Sequence, residues 1–259
     1  MKQRVITALV ALAVLLTVLF YAPREVALGA IALVMLAGAW EWSGFFDGAS
    51  SAVRAVYVAL IGALLAAVTL LDVDASLVFQ VALGWWLVAL GWTFFFPTPI
   101  PAVVRWLSGA LVLVPLYVAL IVLYQAAPEL LLFALLIVWV ADSGAFFAGK
   151  FLGRVKLAPD ISPGKTWEGV IGGLLAVVLL TLLRTTWADT DLAVFIPFCL
   201  AVASLSIVGD LTVSMFKRTA GLKDSGNLFP GHGGVLDRID SIAAAAPLFA
   251  LGVGWVGLS

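Results

Sequence analysis

Residues 54–71 read RAVYVALIGALLAAVTLL, an apolar run whose single charge stands at Arg54. A helix needs about 20 consecutive apolar residues to cross the hydrocarbon core of a bilayer. Because backbone groups in lipid must be hydrogen-bonded within the spanning segment, this run predicts a transmembrane helix. Comparable runs recur along the chain, and we recognise nine, near residues 4–21, 26–42, 54–71, 76–96, 103–124, 129–149, 167–187, 191–216 and 239–257.

The composition agrees with this pattern. Hydrophobic residues make up 64% of the chain, charged residues 11%, and the mean hydropathy is +1.17. Soluble domains average about 45–50% apolar and about 25% charged residues. The sequence therefore predicts an all-α polytopic membrane protein with about nine transmembrane helices. No small-residue cleavage site follows the first run, so we interpret that run as a span and not as a signal peptide.

The basic residues predict the orientation. Lys and Arg are enriched in the cytoplasmic loops of membrane proteins. With a cytoplasmic N-terminus and nine alternating spans, twelve of the 14 Lys and Arg residues face the cytoplasm, all except Arg24 and Arg184. The C-terminus is then outside.

The polar residues divide the chain into two parts. Residues 1–125 hold about five spans without a chemical motif, and residues 126–259 hold the other spans and two polar segments. These segments, 150–166 and 217–240, are predicted to be cytoplasmic catalytic loops. Asp142 lies in the sixth run, where a buried acid is by default a functional candidate, although a structural hydrogen-bonding role is the alternative.

The first polar segment contains Ser-Pro-Gly-Lys-Thr at residues 162–166. We predict a turn at the start of the seventh helix, where free backbone N–H groups favour an anion. The segment lacks the upstream glycine and preceding strand of a phosphate-binding loop, which argues against a nucleotide hydrolase. Arg154 and Lys156 are explained equally well by the positive-inside bias.

The second polar region begins in the eighth run. Helical spacing places Asp210, Ser214 and Lys217 on one face. A glycine-rich segment follows, with Gly226, Gly231, Gly233 and Gly234. Its flexible backbone suits amides wrapped around an anion. Asp237 and Asp240 then open the ninth helix, where acids also serve as caps or dipole partners.

Carboxylates beside lysines and arginines at a membrane surface predict phosphoryl or nucleotidyl transfer. The carboxylates suit Mg²⁺, and the cations neutralise charge as pyrophosphate leaves. One histidine and one cysteine in the whole chain support neither a zinc site nor a Cys-His dyad.

Residues 214–240 resemble the signature of the phosphatidate cytidylyltransferase family, also called CDP-diacylglycerol synthases. Ala-Asp-Ser-Gly-Ala at 141–145 and Ser-Pro-Gly-Lys-Thr-Trp-Glu-Gly at 162–169 resemble further family segments. The resemblance implies transfer of CMP from CTP to phosphatidate, with release of CDP-diacylglycerol and pyrophosphate. It also implies a requirement for Mg²⁺, with a second cation as an option, a membrane-lipid partner, no nucleic acid and a possible homodimer. A bacterial plasma membrane is the location that the resemblance implies.

The resemblance and the residue chemistry together assign roles. The expected metal ligands are Asp210, Asp224 and Asp237. The catalytic candidates are Asp142, Asp210, Lys217, Arg218, Lys223, Asp224, His232, Asp237, Arg238 and Asp240. The expected substrate-binding residues are Ser162, Lys165, Thr166, Ser214, Gly233 and Gly234. For His232, a role in bracing the turn is the alternative.

Other functions are open at this stage. A cytidylyltransferase for another lipid phosphate, such as an isoprenoid-ether lipid, would carry the same motifs. A transporter could place Asp142 and Asp210 near a cavity, but transport needs polar sites across the membrane, and here every motif lies at the predicted cytoplasmic end. The Asp-Gly-x2-Ala-Arg pattern of CDP-alcohol phosphotransferases is absent.

Overall fold

The computed structural model describes residues 2–184, 191–228 and 233–257, with side chains from residue 6 onward. Nine α-helices form in this part of the chain, and each overlaps one predicted apolar run, so the all-helical prediction is confirmed. They are α1 Lys2–Phe20, α2 Arg24–Trp42, α3 Ser51–Leu70, α4 Ala75–Thr93, α5 Ala102–Ala126, α6 Pro128–Leu152, α7 Trp167–Arg184, α8 Leu192–Thr219 and α9 Leu236–Gly252.

Seven helices in the described part of the chain, α2 to α8, are long and apolar enough to cross a membrane. Helix α1 has 19 residues, of which the fully described part is Ile6–Phe20, and α9 has 17 residues. The protein is therefore a polytopic membrane protein. Nine spans and the direction of insertion stay predictions.

Helix α9 is the centre of the bundle. It packs against α4, α5, α6 and α8, and its side chains from Ser241 to Pro247 are buried. A helix that is enclosed on all sides is apolar around its whole circumference, and the run of four alanines at 243–246 permits close approach of its neighbours. The packing of this buried middle part fixes the position of the first turn of α9.

Helices α6 and α7 make the closest pair, because small residues face each other between them. A Cβ atom added at Gly144 would lie 2.7 Å from the Cβ of Ala176, and one added at Gly173 would lie 2.6 Å from the carbonyl oxygen of Ala141. Small residues allow membrane helices to approach at backbone distance. This contact fixes Asp142, on α6, relative to the start of α7.

A buried arginine fixes the end of α2. Arg105, in the first turn of α5, donates to the carbonyl of Phe45 at 2.9 Å and to Oδ1 of Asp47 at 2.7 Å. The hydrogen bond from Arg105 lowers the pKa of Asp47. In return, Trp42 Nε1 donates to the Arg105 carbonyl at 2.8 Å. These contacts hold the last turn of α2 against α5.

Candidate active site

A short β-hairpin joins α6 to α7, where the sequence predicts only a turn. Strands β1 (Lys156–Ala158) and β2 (Ser162–Thr166) are antiparallel, and the turn lies between them at residues 159–161. Proline and glycine in β2 are tolerated because the sheet has only two strands, both of them edges. Ile161 is buried and anchors the turn.

Thr166 ends the hairpin and begins α7. Its hydroxyl accepts the backbone N–H of Gly169 at 3.1 Å, which is the N-cap arrangement. The side chain is buried and also lines the cavity described next. Thr166 therefore has a structural role that explains why α7 starts at Trp167, and its predicted substrate contact stays a prediction.

A cavity of about 480 Å³ lies between α6, the hairpin, α7 and α8. Asp142, Ser162, Lys165 and Asp210 line it. Lys165 Nζ lies 2.6 Å from Asp210 Oδ2, and each side chain is about one-quarter exposed, at 26% and 27%. The cavity therefore combines a lysine from the first polar segment with one carboxylate from α6 and one from α8, and it has an apolar wall.

The second carboxylate oxygen of Asp210 is bound within its own helix. Ser214 Oγ donates to Asp210 Oδ1 at 3.1 Å, one helical turn away, as the predicted stripe on α8 requires. Ser214 is buried. Its hydroxyl therefore orients the Asp210 carboxylate from within α8, while Lys165 contacts the other oxygen of Asp210 from the hairpin.

Lys217, the third residue of that stripe, faces α9. Its Nζ lies 2.8 Å from Asp237 Oδ1 and 3.8 Å from Asp240 Oδ2, and the Lys217 and Asp237 side chains are only 8% and 7% exposed. Lys217 lies in the last turn of α8, Asp237 lies in the first turn of α9, and Asp240 follows it by three residues. This buried ion pair connects the ends of the two helices.

The glycine-rich segment wraps around the protein's own carboxylates. The N–H groups of Ser225 and Gly234 each donate to Asp237 Oδ2 at 2.9 Å. Gly233 has φ of +80°, a conformation that residues with a Cβ atom rarely adopt. The backbone amides of Ser225 and Gly234 therefore bind an anion, but this anion is the carboxylate of Asp237. Phosphate binding by Gly233 and Gly234 stays a prediction.

Glu41 of α2 also belongs to this region, and the sequence reasoning missed it. Its carboxylate accepts the N–H groups of Val235 and Leu236 at 2.9 and 2.8 Å. An acid between Trp40 and Trp42 in a predicted span is itself a signal, because acids inside membrane helices are rare and usually have a function. The division into a motif-free half and a catalytic half overlooked this signal.

The remaining candidates lie around the cavity and the buried pair. Arg218 donates to the carbonyl of Ile161 and to that of Leu222, each at 3.0 Å, and so ties the hairpin to the end of α8. Arg238 is exposed and interacts electrostatically with Asp142. Lys223 and Asp224 are exposed in the segment after α8. His232 lies outside the described residues.

The donor set fits Mg²⁺ in one place. No three His, Cys, Asp or Glu side chains gather as a metal cluster among the described residues. Mg²⁺, however, is commonly bound by one or two carboxylates together with water and substrate phosphates. Asp142 and Asp210 supply two such carboxylates on one cavity, whereas Asp237 is buried against Lys217 and is not among the residues that line this cavity.

A helical membrane protein with a lysine and carboxylates on one cavity has the features of a membrane-embedded phosphate-transfer enzyme. The model of the cytidylyltransferase family matches residues 2–255, and the chain belongs to that family.

Similar proteins carry a common name. A phosphatidate cytidylyltransferase of Pseudomonas aeruginosa is 42% identical over 98% of both chains. One of Haemophilus influenzae is 37% identical over 96% of this chain and 97% of its own. A Staphylococcus aureus enzyme of the same name is 46% identical over 120 residues, 46% of each chain.

Proposed function

We propose that the protein transfers CMP from CTP to phosphatidate, forming CDP-diacylglycerol and pyrophosphate. The observation that carries the proposal is the Lys165–Asp210 pair on a cavity beside Asp142. The substrate assignment is supported by the phosphatidate cytidylyltransferase of P. aeruginosa, which is similar over nearly the whole chain.

In the proposed reaction, an oxygen of the phosphatidate phosphate attacks the α-phosphorus of CTP. A new P–O bond forms, the bond from the α-phosphorus to the bridging oxygen breaks, and pyrophosphate leaves with the electron pair. The attacking phosphate is already anionic, so no general base is required. Lys165 neutralises charge that develops on the phosphates, an effect that is strong in a water-poor site.

The pair on α8 and α9 has a supporting role in this proposal. Lys217 and Asp237 keep the helix ends together, and Arg218 keeps the hairpin over the cavity. Arg238, Lys223 and His232 remain candidates for phosphate contacts.

Asp142 and Asp210 would hold Mg²⁺, with Asp224 and Asp237 as the other predicted ligands. When bound, Mg²⁺ would supply positive charge next to the transferring phosphoryl group. Asp210 lies at the wall of the cavity in contact with Lys165, so the ion and the ammonium group would lie on the same side of the cavity. A second cation stays a prediction.

The positive-inside bias supports a cytoplasmic active site. The hairpin, the end of α8 and the start of α9 meet at one end of the bundle, as the contacts of Arg218 and Lys217 require. We propose that this end faces the cytoplasm of a bacterial plasma membrane, where CTP is available. A homodimer stays a prediction.

The test uses CTP labelled at either the α or the γ phosphorus, with purified protein in detergent. We expect the α label to enter the lipid product and the γ label to leave as pyrophosphate, with both transfers lost when Mg²⁺ is chelated. Activity with an isoprenoid-ether lipid phosphate but not with phosphatidate would favour the alternative substrate. Transfer of the γ label to lipid would contradict cytidylyl transfer.

A further inference from the structure

Glu41 lies in the last turn of α2 and is only 8% exposed. Its Oε1 accepts the N–H of Val235 at 2.9 Å, and its Oε2 accepts the N–H of Leu236 at 2.8 Å. The hydroxyl of Ser225 donates to Oε2 at 3.2 Å, from a residue 184 positions along the chain. Three donors from the glycine-rich segment therefore converge on one carboxylate of the N-terminal half.

The contacts place this carboxylate at the N-terminus of α9. Helix α9 has no side-chain cap from its own N-cap residue, Val235. The first N–H groups of a helix lack partners within the helix, and the helix dipole favours a negative charge there. Glu41, which belongs to α2, accepts two of these N–H groups and supplies the negative charge. It therefore stabilises the first turn of α9, which contains Asp237 and directly precedes Asp240.

The glycine-rich segment is shaped to fit Glu41. A methyl group at Gly226 or Gly234 would overlap the Glu41 carboxylate, so the backbone contacts the acid directly. Ser225 links this contact to the buried ion pair, because its N–H donates to Asp237 Oδ2 at 2.9 Å while its hydroxyl binds Glu41. The positions of Glu41 and Asp237 are thus coupled through one residue.

We propose that Glu41 is a positioning residue for cytidylyl transfer, which anchors Ser225, Val235 and Leu236 and so sets the position of the Lys217–Asp237 pair. This inference rests on the proposed function. The cavity at Lys165 is lined by residues of α6, α7, α8 and the hairpin, so Glu41 acts through α9 and not by contact with substrate. Its negative charge contributes to this role, because Ser225, Val235 and Leu236 all donate hydrogen bonds to the carboxylate.

The test compares Glu41→Gln with Glu25→Gln, an exposed acid in the first turn of the same helix. The glutamine keeps the shape of Glu41 but loses the charge and turns an amide NH₂ toward backbone donors. We expect kcat/KM for CTP to fall by about 10- to 100-fold, the size of one or more lost charge-assisted hydrogen bonds. Amide hydrogen exchange in residues 225–237 should accelerate by about tenfold or more. Glu25→Gln should match wild type in kcat/KM and in the rate of amide exchange.

Two further variants separate positioning from general stability. Ser225→Ala removes one of the hydrogen-bond donors to Glu41. It should accelerate amide exchange and lower kcat/KM, both by less than Glu41→Gln does. It serves as the test if Glu41→Gln does not fold. Glu41→Asp keeps the charge and should retain more activity than the glutamine variant. A merely structural residue would lower the folded fraction, yet leave kcat/KM of the folded protein unchanged.

Unchanged exchange in folded Glu41→Gln would overturn the inference, and so would faster exchange with unchanged kcat/KM. If wild-type protein does not convert CTP, the proposed function fails. Faster exchange in the glutamine variant would then still support Glu41 as the anchor of α9.

Discussion

Replacing Lys165 with methionine should lower kcat/KM for CTP by about 100-fold or more, because removal of one electrostatic donor to a reacting oxyanion has effects of that size. Lys165 is the lysine whose ammonium group contacts Asp210 within the cavity. Its side chain is about one-quarter exposed, at 26%, so folding should be affected little. The measurement is a steady-state assay with phosphatidate held in mixed micelles.

The matched control is Lys156→Met on the neighbouring strand. Lys156 is exposed and pairs with Thr166 in the hairpin register. Its replacement removes the same charge from the same hairpin, so kcat/KM should stay within about twofold of wild type, as expected of a surface change. Equal losses in the two variants would mean that the charge of the hairpin matters in general, and would contradict a specific role for Lys165.

Replacing Lys217 with methionine should lower the free energy of unfolding by about 3–5 kcal/mol, the usual effect of removing one partner from a buried ion pair. The variant leaves Asp237 and Asp240 beside each other without their cation, in a site where the Lys217 and Asp237 side chains are less than one-tenth exposed. Unfolding in detergent, followed by heat or by titration with a denaturing detergent, gives the measurement.

The double variant Lys217→Met with Asp237→Asn supplies the control. Neutral residues of similar volume often replace a buried ion pair with little loss of stability. The double variant should therefore be more stable than the sum of the two single changes predicts. Additive losses, or a single Lys217 variant as stable as wild type, would show that the pair does not hold α8 and α9 together.

The helices could be predicted from the sequence because lipid leaves the backbone few alternatives. Each apolar run must satisfy its own hydrogen bonds, so length and hydropathy alone indicate a helix. The hairpin at 156–166 could not be found in this way. Strands of three and five residues carry almost no periodic signal, and Pro163-Gly164 favours a turn when only local propensity is considered.

The partners of the charged residues were the harder part of the site. Helical spacing correctly relates Ser214 to Asp210, because both lie on one helix. The contacts of Lys217 with Asp237 and of Glu41 with Val235 join different helices, the second across 194 positions. One sequence gives the chemistry of such groups but not which helix they face.

The same limit applies to the glycine-rich segment. Its composition predicts backbone amides around an anion, yet it cannot identify the anion. In the structure, the amide of Gly234 binds Asp237, and those of Val235 and Leu236 bind Glu41. The segment is thus organised by carboxylates of the protein itself before any substrate phosphate is considered.

We propose that the cavity beside Lys165 binds CTP. The most direct measurement is whether CTP protects a cysteine placed in that cavity from alkylation. Ser162 lines the cavity, and Cys199, the only native cysteine, is buried and would be changed to serine. In that background, Ser162→Cys would be alkylated with and without CTP and Mg²⁺, with Lys156→Cys as the control outside the cavity.

At a CTP concentration about ten times its dissociation constant, alkylation of the Ser162→Cys protein should slow by about tenfold, because only unliganded protein reacts. The Lys156→Cys protein should react at the same rate with and without CTP. If CTP leaves the rate at position 162 unchanged while the protein still converts CTP, the nucleotide binds elsewhere and the account of the site is wrong.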